Sequence, residues 1–436
     1  MILKLWCKGT NKREDYNGIN AEPLTSRQTI LGLCFEGIER LGKEYPEELR
    51  LNPIGRELLM TWMGKTQQIR RQNMKVNAVA SKLFSMLRED GFRCCILKGQ
   101  GNALMYPNPY SRTPGDIDVW IDASRERIME YAQKKFELED DIRLQHLETS
   151  LDGVPVELHF FPCSMNNPIY HARLQKWFRR NANLQCSHIV GLPDEAGDIA
   201  IPTTAFNVIY QLTHLYHHFF DEGIGMRQII DYFLVVNDFS KNVFLDTDFL
   251  KQQDNYSKIT PSLFTLKEGS TSHPDPLSSG AREETVLRCS EPLRSKDGGA
   301  SKPSPNCAGW DRLDAKGNTT SAALVVVQRE LKYLGLWKFA RAVMYVLHET
   351  LGLSEEKMIA PMDEKRGKLL LAEILNGGNF GRHFTKYGHF TQQGMAKKYF
   401  LKIWRNMHFV RYFPAEALSE PIFRTWHFFW RLKHRR

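Results

Sequence analysis

Two short segments of this chain alternate apolar and polar residues with a period of two, while almost everything around them follows helical spacing. They are Asp116-Ile117-Asp118-Val119-Trp120-Ile121-Asp122 and Val154-Pro155-Val156-Glu157-Leu158-His159-Phe160. A period of two belongs to a half-buried strand, whose successive side chains point to opposite faces. Helical spacing is seen before them in Ile30, Leu33, Cys34 and Ile38 and in Ala80, Leu83, Phe84 and Leu87, and after them in residues 203–219, 227–236, 323–336 and 339–351. Glu89-Asp90-Gly91 is a helix stop, and the apolar run from Phe92 to Leu97 that follows it has strand length. Residues 125–136 read as a helix between the alternating segments. The order strand, loop or helix, strand, helix, strand describes a small α/β unit inside a mostly helical chain.

The alternation also fixes which side chains meet. Asp116 and Asp118 lie two apart and aim to one face, while Ile117, Val119 and Ile121 take the other and hold the register. Two carboxylates held together repel each other. A hard divalent cation such as Mg²⁺ relieves that repulsion and still keeps room for water and substrate oxygens. Glu157 sits on the polar phase of the second segment with His159, opposite Val154, Val156 and Leu158. If the two strands are neighbours, Glu157 becomes a third carboxylate at the same centre and a candidate general base. On this reading, removal of either aspartate abolishes activity and leaves folding intact or improved, because a repulsive pair is lost.

Upstream, Leu97-Lys98-Gly99-Gln100-Gly101-Asn102 follows the apolar run. Its glycines let backbone amides approach an anion, and a helix starting near Asn102 would aim its positive end at the same place. Lys98 adds a mobile point charge for phosphate, and Arg112 a bidentate one. Lys98, Gly99, Gln100 and Arg112 are therefore the candidate nucleotide-binding residues, beside the candidate catalytic and metal-binding set Asp116, Asp118 and Glu157. His214, His217 and His218 fall at helical i, i+3 and i+4 positions, with packing or substrate contact favoured over metal ligation. Arg227 and Asp231, four apart, read as an ordinary pair.

At 436 residues the chain has length for two or three domains. No window approaches the apolar length of a bilayer crossing, and residues 1–8 are too short and mixed for a signal peptide, so a soluble, cytoplasmic protein is expected. The eight cysteines form no Cys-x-x-Cys pair or repeated spacing, and structural thiols are expected. A formal charge of +9 suits a polyanionic partner. Residues 257–321, rich in Ser, Gly, Pro, Asp and Lys, show no period and read as a mobile insertion. In the tail, Trp404, Phe409, Tyr412, Phe413, Trp426, Phe429 and Trp430 are interleaved with Lys and Arg. That composition fits contact with RNA or a membrane surface, or else the core of an amphipathic helical subdomain.

The residues Ile96-Leu97-Lys98-Gly99, Tyr106-Pro107, Arg112-Thr113-Pro114-Gly115-Asp116-Ile117-Asp118-Val119-Trp120 and Val156-Glu157-Leu158-His159 resemble the nucleotidyltransferase superfamily typified by DNA polymerase beta. They are most similar to a bacterial branch of uncharacterised nucleotidyltransferases. His217-His218, Gly223-Ile224-Gly225-Met226-Arg227 and Asp231 resemble the helical segment after that branch's core. The resemblance implies an α+β fold, with a small mixed sheet and helices on one side. It also implies Mg²⁺ at Asp116, Asp118 and Glu157, and transfer of a nucleoside monophosphate from a nucleoside triphosphate such as ATP to a hydroxyl acceptor. The acceptor is open among small molecule, saccharide, RNA and protein. A toxin-like enzyme acting on tRNA or protein, or a non-catalytic RNA- or membrane-binding module, would use the same fold. Lys98-Gly99-Gln100 departs from the superfamily's Gly-Ser. The expected organisation is an N-terminal helical region (1–91), a nucleotidyltransferase core (92–165), a helical region (166–256), the insertion (257–321) and a C-terminal helical region (322–436).

Overall fold

The structure is a computed structural model and describes residues 25–26, 28–51, 54–138, 143–242, 311–313, 319–377 and 395–434. Its central sheet has four strands, β1 (Cys94–Ile96), β2 (Ile117–Ile121), β3 (His146–Leu151) and β4 (Val154–His159), in the order β1-β2-β4-β3. β2 and β4 run parallel and the other two pairings are antiparallel, so the sheet is mixed. β3 is not among the strands read from the sequence. It joins β4 through Asp152-Gly153, both with positive φ of 50° and 70°. That is the two-residue turn whose hand matches the twist of a hairpin, and Asp-Gly is a strong signal for it.

Among the elements described in full, the helices α1 (Leu31–Glu44), α2 (Pro46–Leu51) and α3 (Arg56–Glu89) precede the sheet. Within the sheet's span lie α4 (Gln100–Ala103) and α5 (Arg125–Lys135). After it come α6 (Pro168–Ser187), a small hairpin of β5 (Ile189–Gly191) and β6 (Asp198–Ala200), α7 (Thr204–Asp221) and α8 (Met226–Asn242). Residues 243–310, most of the expected insertion, lie outside the described residues. The segments 311–313 and 319–321 within it pair as β7 (Asp311–Leu313) and β8 (Thr319–Ser321). The chain resumes with α9 (Ala322–Tyr333), α10 (Trp337–Leu351), α11 (Glu364–Gly377), α12 (Met395–Met407) and α13 (Pro414–His434).

Each strand's alternation divides its side chains between two cores. Cys94 and Ile96 of β1, Ile117, Val119 and Ile121 of β2, and Val154, Val156 and Leu158 of β4 pack with Val76, Leu83, Phe84 and Leu87 of α3 and Ile128 and Ala132 of α5. The sheet and α3 thus share one core, which joins the regions 1–91 and 92–165. Cys95 and Trp120 point the other way, into a larger helical core around α7. There Trp120 lies parallel to Phe206 with centroids 6.3 Å apart, and Phe206 stacks on Trp177 at 4.6 Å. Helices therefore cover the whole of one face and only the Cys95–Trp120 end of the other. The acidic end of that second face borders a cavity that α7 walls on its far side. Among the described residues the cysteines Cys34, Cys94, Cys95, Cys163 and Cys186 are free and buried, and no helix is long and apolar enough to cross a membrane.

Candidate active site

Parallel pairing of β2 with β4 sets Asp118 directly beside Glu157 in register. Adjacent positions on neighbouring strands share a face, so both carboxylates point into the cavity at this end of the sheet. Asp116, in the extended residues just before β2, completes the set: ligand oxygens of Asp116, Asp118 and Glu157 all lie within 4.8 Å of one another. Asp118 is buried, Glu157 is partly buried and Asp116 is exposed. His146, Glu157 and His159 form a second group at the same spacing, with Glu157 common to both.

The acidic group is not left uncompensated. Lys98 Nζ sits 3.1 Å from Asp118 Oδ1. His159 Nε2 lies 3.1 Å from Asp118 Oδ1 and 3.0 Å from Glu157 Oε2, and its Nδ1 faces the Gln145 side-chain amide at 3.3 Å. Burial alone would lower the His159 pKa, yet the hydrogen bonds and charges of Asp118 and Glu157 raise it to about 9. Burial opposes charge on Lys98 too, and Asp118, Asp116 and Glu157 outweigh it and raise its pKa. Glu157 is pulled the other way: burial would raise it, but His159 and His146 hold it below the usual carboxylate range. This geometry revises the expectation that loss of Asp118 relieves repulsion, because Asp118 is the anion on which two cations depend.

Lys98 comes into reach through Gly99. Its φ of +57° is a conformation that side chains disfavour, and the turn carries the chain from β1 into α4 beside Asp116. Gly101 serves packing: a Cβ there would approach Ile201 Cγ2 to 2.9 Å, and its N–H donates to Lys98 O. Gln100 is not brought to the site. It is 3% exposed and its Nε2 donates to Asn77 Oδ1 on α3.

Arg112 does line the cleft, in an arrangement the sequence did not foretell. Its Nε and Nη2 donate to the two oxygens of Asp231, each at 2.9 Å, so Asp231 is the partner of Arg112 and not an i, i+4 partner of Arg227. Tyr106 Oη donates to Asp231 as well, at 2.7 Å, and Asn73 Nδ2 of α3 pins the Arg112 carbonyl at 2.8 Å. Burial alone would raise the Asp231 carboxyl, but Arg112 and Arg227 hold it below its ordinary value. Arg112 Nη1 and Arg227 Nε are buried with no hydrogen-bond acceptor. Burial and the neighbouring Arg112 charge together lower the Arg227 pKa. Arg112 thus holds the Asp231 carboxylate, while Arg227 adds a second positive charge beside them and donates from Nη1 to the Thr113 carbonyl at 3.0 Å.

These groups wall one cavity of about 540 Å³ that runs from Lys98, Asp116 and Glu157 past Arg112 and Arg227 to the polar stripe of α7. His214, His217 and His218 are on that stripe and line the cavity. Burial, reinforced by the Lys98 charge and the neighbouring histidines, holds His214 and His218 well below the usual histidine value and favours their neutral form, Asp221 and Asp118 opposing this only weakly at His218. Neutral rings offer one donor and one acceptor each, which fits substrate contact. Sequence reasoning missed Arg227, His146 and Glu148 as cavity residues. The last two arrive on β3, which the Asp152-Gly153 turn could have revealed.

The chain belongs to the family described as uncharacterised nucleotidyltransferase, whose model matches residues 23–261, more than half of the chain. Membership supports a nucleotidyl-transfer role. Comparison with curated proteins gives no match. Among solved structures, that of an antigenic nucleotidyltransferase-like protein from Paracoccidioides brasiliensis is similar over 43% of this chain and 89% of its own. Its identity of 16% and TM-score of 0.26 carry no argument about this chain.

Proposed function

We propose that this protein is a cytoplasmic, Mg²⁺-dependent nucleotidyltransferase that moves a nucleoside monophosphate from a nucleoside triphosphate, ATP among the candidates, to a hydroxyl acceptor. The observation that carries the proposal is the in-register pair Asp118–Glu157, with Asp116 close enough for all three to contact one ion. An all-oxygen donor set with one exposed member fits a hard cation that retains water and substrate oxygens, so the residues present suit Mg²⁺. When bound, the ion supplies Lewis-acid polarisation of the phosphates and neutralises their charge.

The chain's own residues do the rest. Lys98, Arg112 and Arg227 line the cavity and receive the phosphates through their positive charge. Glu157 takes the proton of the attacking hydroxyl. The acceptor oxygen bonds to the α-phosphorus as the α–β bridging bond breaks, and pyrophosphate leaves toward the cationic side of the cavity. His159 holds Asp118 and Glu157 in position through its Nε2. The neutral histidines of α7 orient the acceptor. Incubation with each labelled nucleoside triphosphate and candidate saccharide, RNA or protein acceptors, read by mass spectrometry, should yield a nucleotide adduct that Asp116→Ala and Asp118→Asn abolish. Undiminished adduct with either variant would refute the assignment.

A further inference from the structure

The last two helices turn apolar side chains outward. On α12, Phe400, Trp404 and Met407 are exposed at i, i+4 and i+7. On α13, Leu418, Ile422, Trp426 and Phe429 follow the same spacing, with Ile422 74% and Phe429 62% exposed. Such spacing draws one stripe along a helix. Glu416, Glu420 and Arg424 of α13 point the opposite way. Glu416 and Glu420 are each 1% exposed. Glu416 accepts the Asn166 N–H at 2.5 Å, and Arg424 pairs with Glu420 and, at 3.0 Å, with Asp221. The helix is thus inverted, with its polar arc anchored on the protein and its apolar arc in solvent. Burial normally runs the other way, at about 25 cal/mol per Å² of apolar surface. A continuous outward stripe of this kind marks a surface with a partner.

Charge selects the partner. From Met395 to His434 the only acidic residues are the buried Glu416 and Glu420, while Arg411 is exposed and the sequence beyond the stripe carries Arg431, Lys433, Arg435 and Arg436. We propose that this face docks on an anionic lipid bilayer. α13 lies in the interfacial plane, with Leu418, Ile422, Trp426 and Phe429 toward the acyl chains and the exposed Arg411 among the headgroups, and the net positive charge of the segment draws it to an anionic surface. It does not span, because Pro421 lies within it and Glu416, Glu420 and Arg424 occupy its inward arc, and no described helix is long and apolar enough to cross. Leu418 and Ile422, the most exposed of the stripe, are aliphatic and suit acyl chains, and Trp426 and Phe429 suit the interfacial level of a bilayer. A second copy would bring the same positive charge against itself. The proposal stands independently of the chemistry in the cleft.

The test is flotation of the full chain with phosphatidylcholine vesicles, with and without phosphatidylglycerol. Binding is expected to the anionic vesicles, to weaken with added salt, and to fall by at least tenfold, ~1.4 kcal/mol, in an Ile422→Ser/Phe429→Ser double variant. Both replaced side chains are exposed, so the variant should keep the wild-type melting temperature, and circular dichroism verifies this. Equal flotation of variant and wild type, or no flotation with anionic vesicles, overturns the proposal. So does a mobility shift on single-stranded RNA, or a concentration-dependent dimer, that the double variant abolishes while vesicle binding is absent.

Discussion

Asp116→Ala and Asp118→Ala should part company in stability although both abolish catalysis. Asp116 is exposed, and its loss removes one member of a crowded acidic set. Asp118 is 3% exposed and lies 3.1 Å from both Lys98 Nζ and His159 Nε2. Breaking a buried pair by removal of one partner costs about 3–5 kcal/mol, since the other charge is left stranded. Here two things reduce that figure: the Lys98 side chain keeps 21% of its exposure, and Glu157 still faces His159. The expected loss is then about 2–4 kcal/mol, or a fall of roughly 2–4 °C in melting temperature for a chain of this length. Asp116→Ala should change stability by less than about 0.5 kcal/mol. Thermal unfolding in a chelator-treated buffer makes the comparison, and adding Lys98→Met to Asp118→Ala should recover part of the loss by removing one orphaned cation. A melting temperature at or above wild type in Asp118→Ala would show that Asp118 is not held by these cations, and the electrostatic reasoning would fail.

Two further outcomes follow from the same geometry. Arg227→Met should weaken binding of a nucleoside triphosphate by about ten- to a hundredfold, the worth of a charge-assisted hydrogen bond, and leave the monophosphate almost unaffected. Calorimetry without turnover measures both, and equal loss for the two ligands would place Arg227 outside the phosphate tail's reach. Burial raises the Glu416 pKa to about 7, against the opposing backbone N–H groups of Asn166 and Asn167. With a folded value above the unfolded one, the folded protein holds that proton more tightly, so this residue favours folding most at low pH and the advantage is lost as pH climbs from about 4.5 through 7. Glu416→Gln should therefore flatten the decline in melting temperature across that window and raise stability at pH 8 by up to about 3 kcal/mol. An unchanged pH profile would contradict it.

The amino-acid order by itself determined the strand alternation, and with it which residues share a face. Asp118 and Glu157 could fall nowhere but opposite Val119 and Leu158, because a strand's period is two and one face had to be buried. The helical stretches, the Gly99 turn and the acidic set were legible for the same local reasons, and so was the Asp152-Gly153 hairpin, though β3 was not read from it. What only the tertiary structure decided are relations between distant residues. Pairing of Asp118 with Lys98 and His159, capture of Arg112 by Asp231 across 119 positions, and inward rotation of Gln100 onto Asn77 all depend on which elements pack together. The same is true of α13. Its composition announced an amphipathic helix, but a hydrophobic period has no sign of inside or outside until a neighbour claims one arc. Here Asp221, Asn166 and Asn167 claim the charged arc and leave Ile422 and Phe429 facing away.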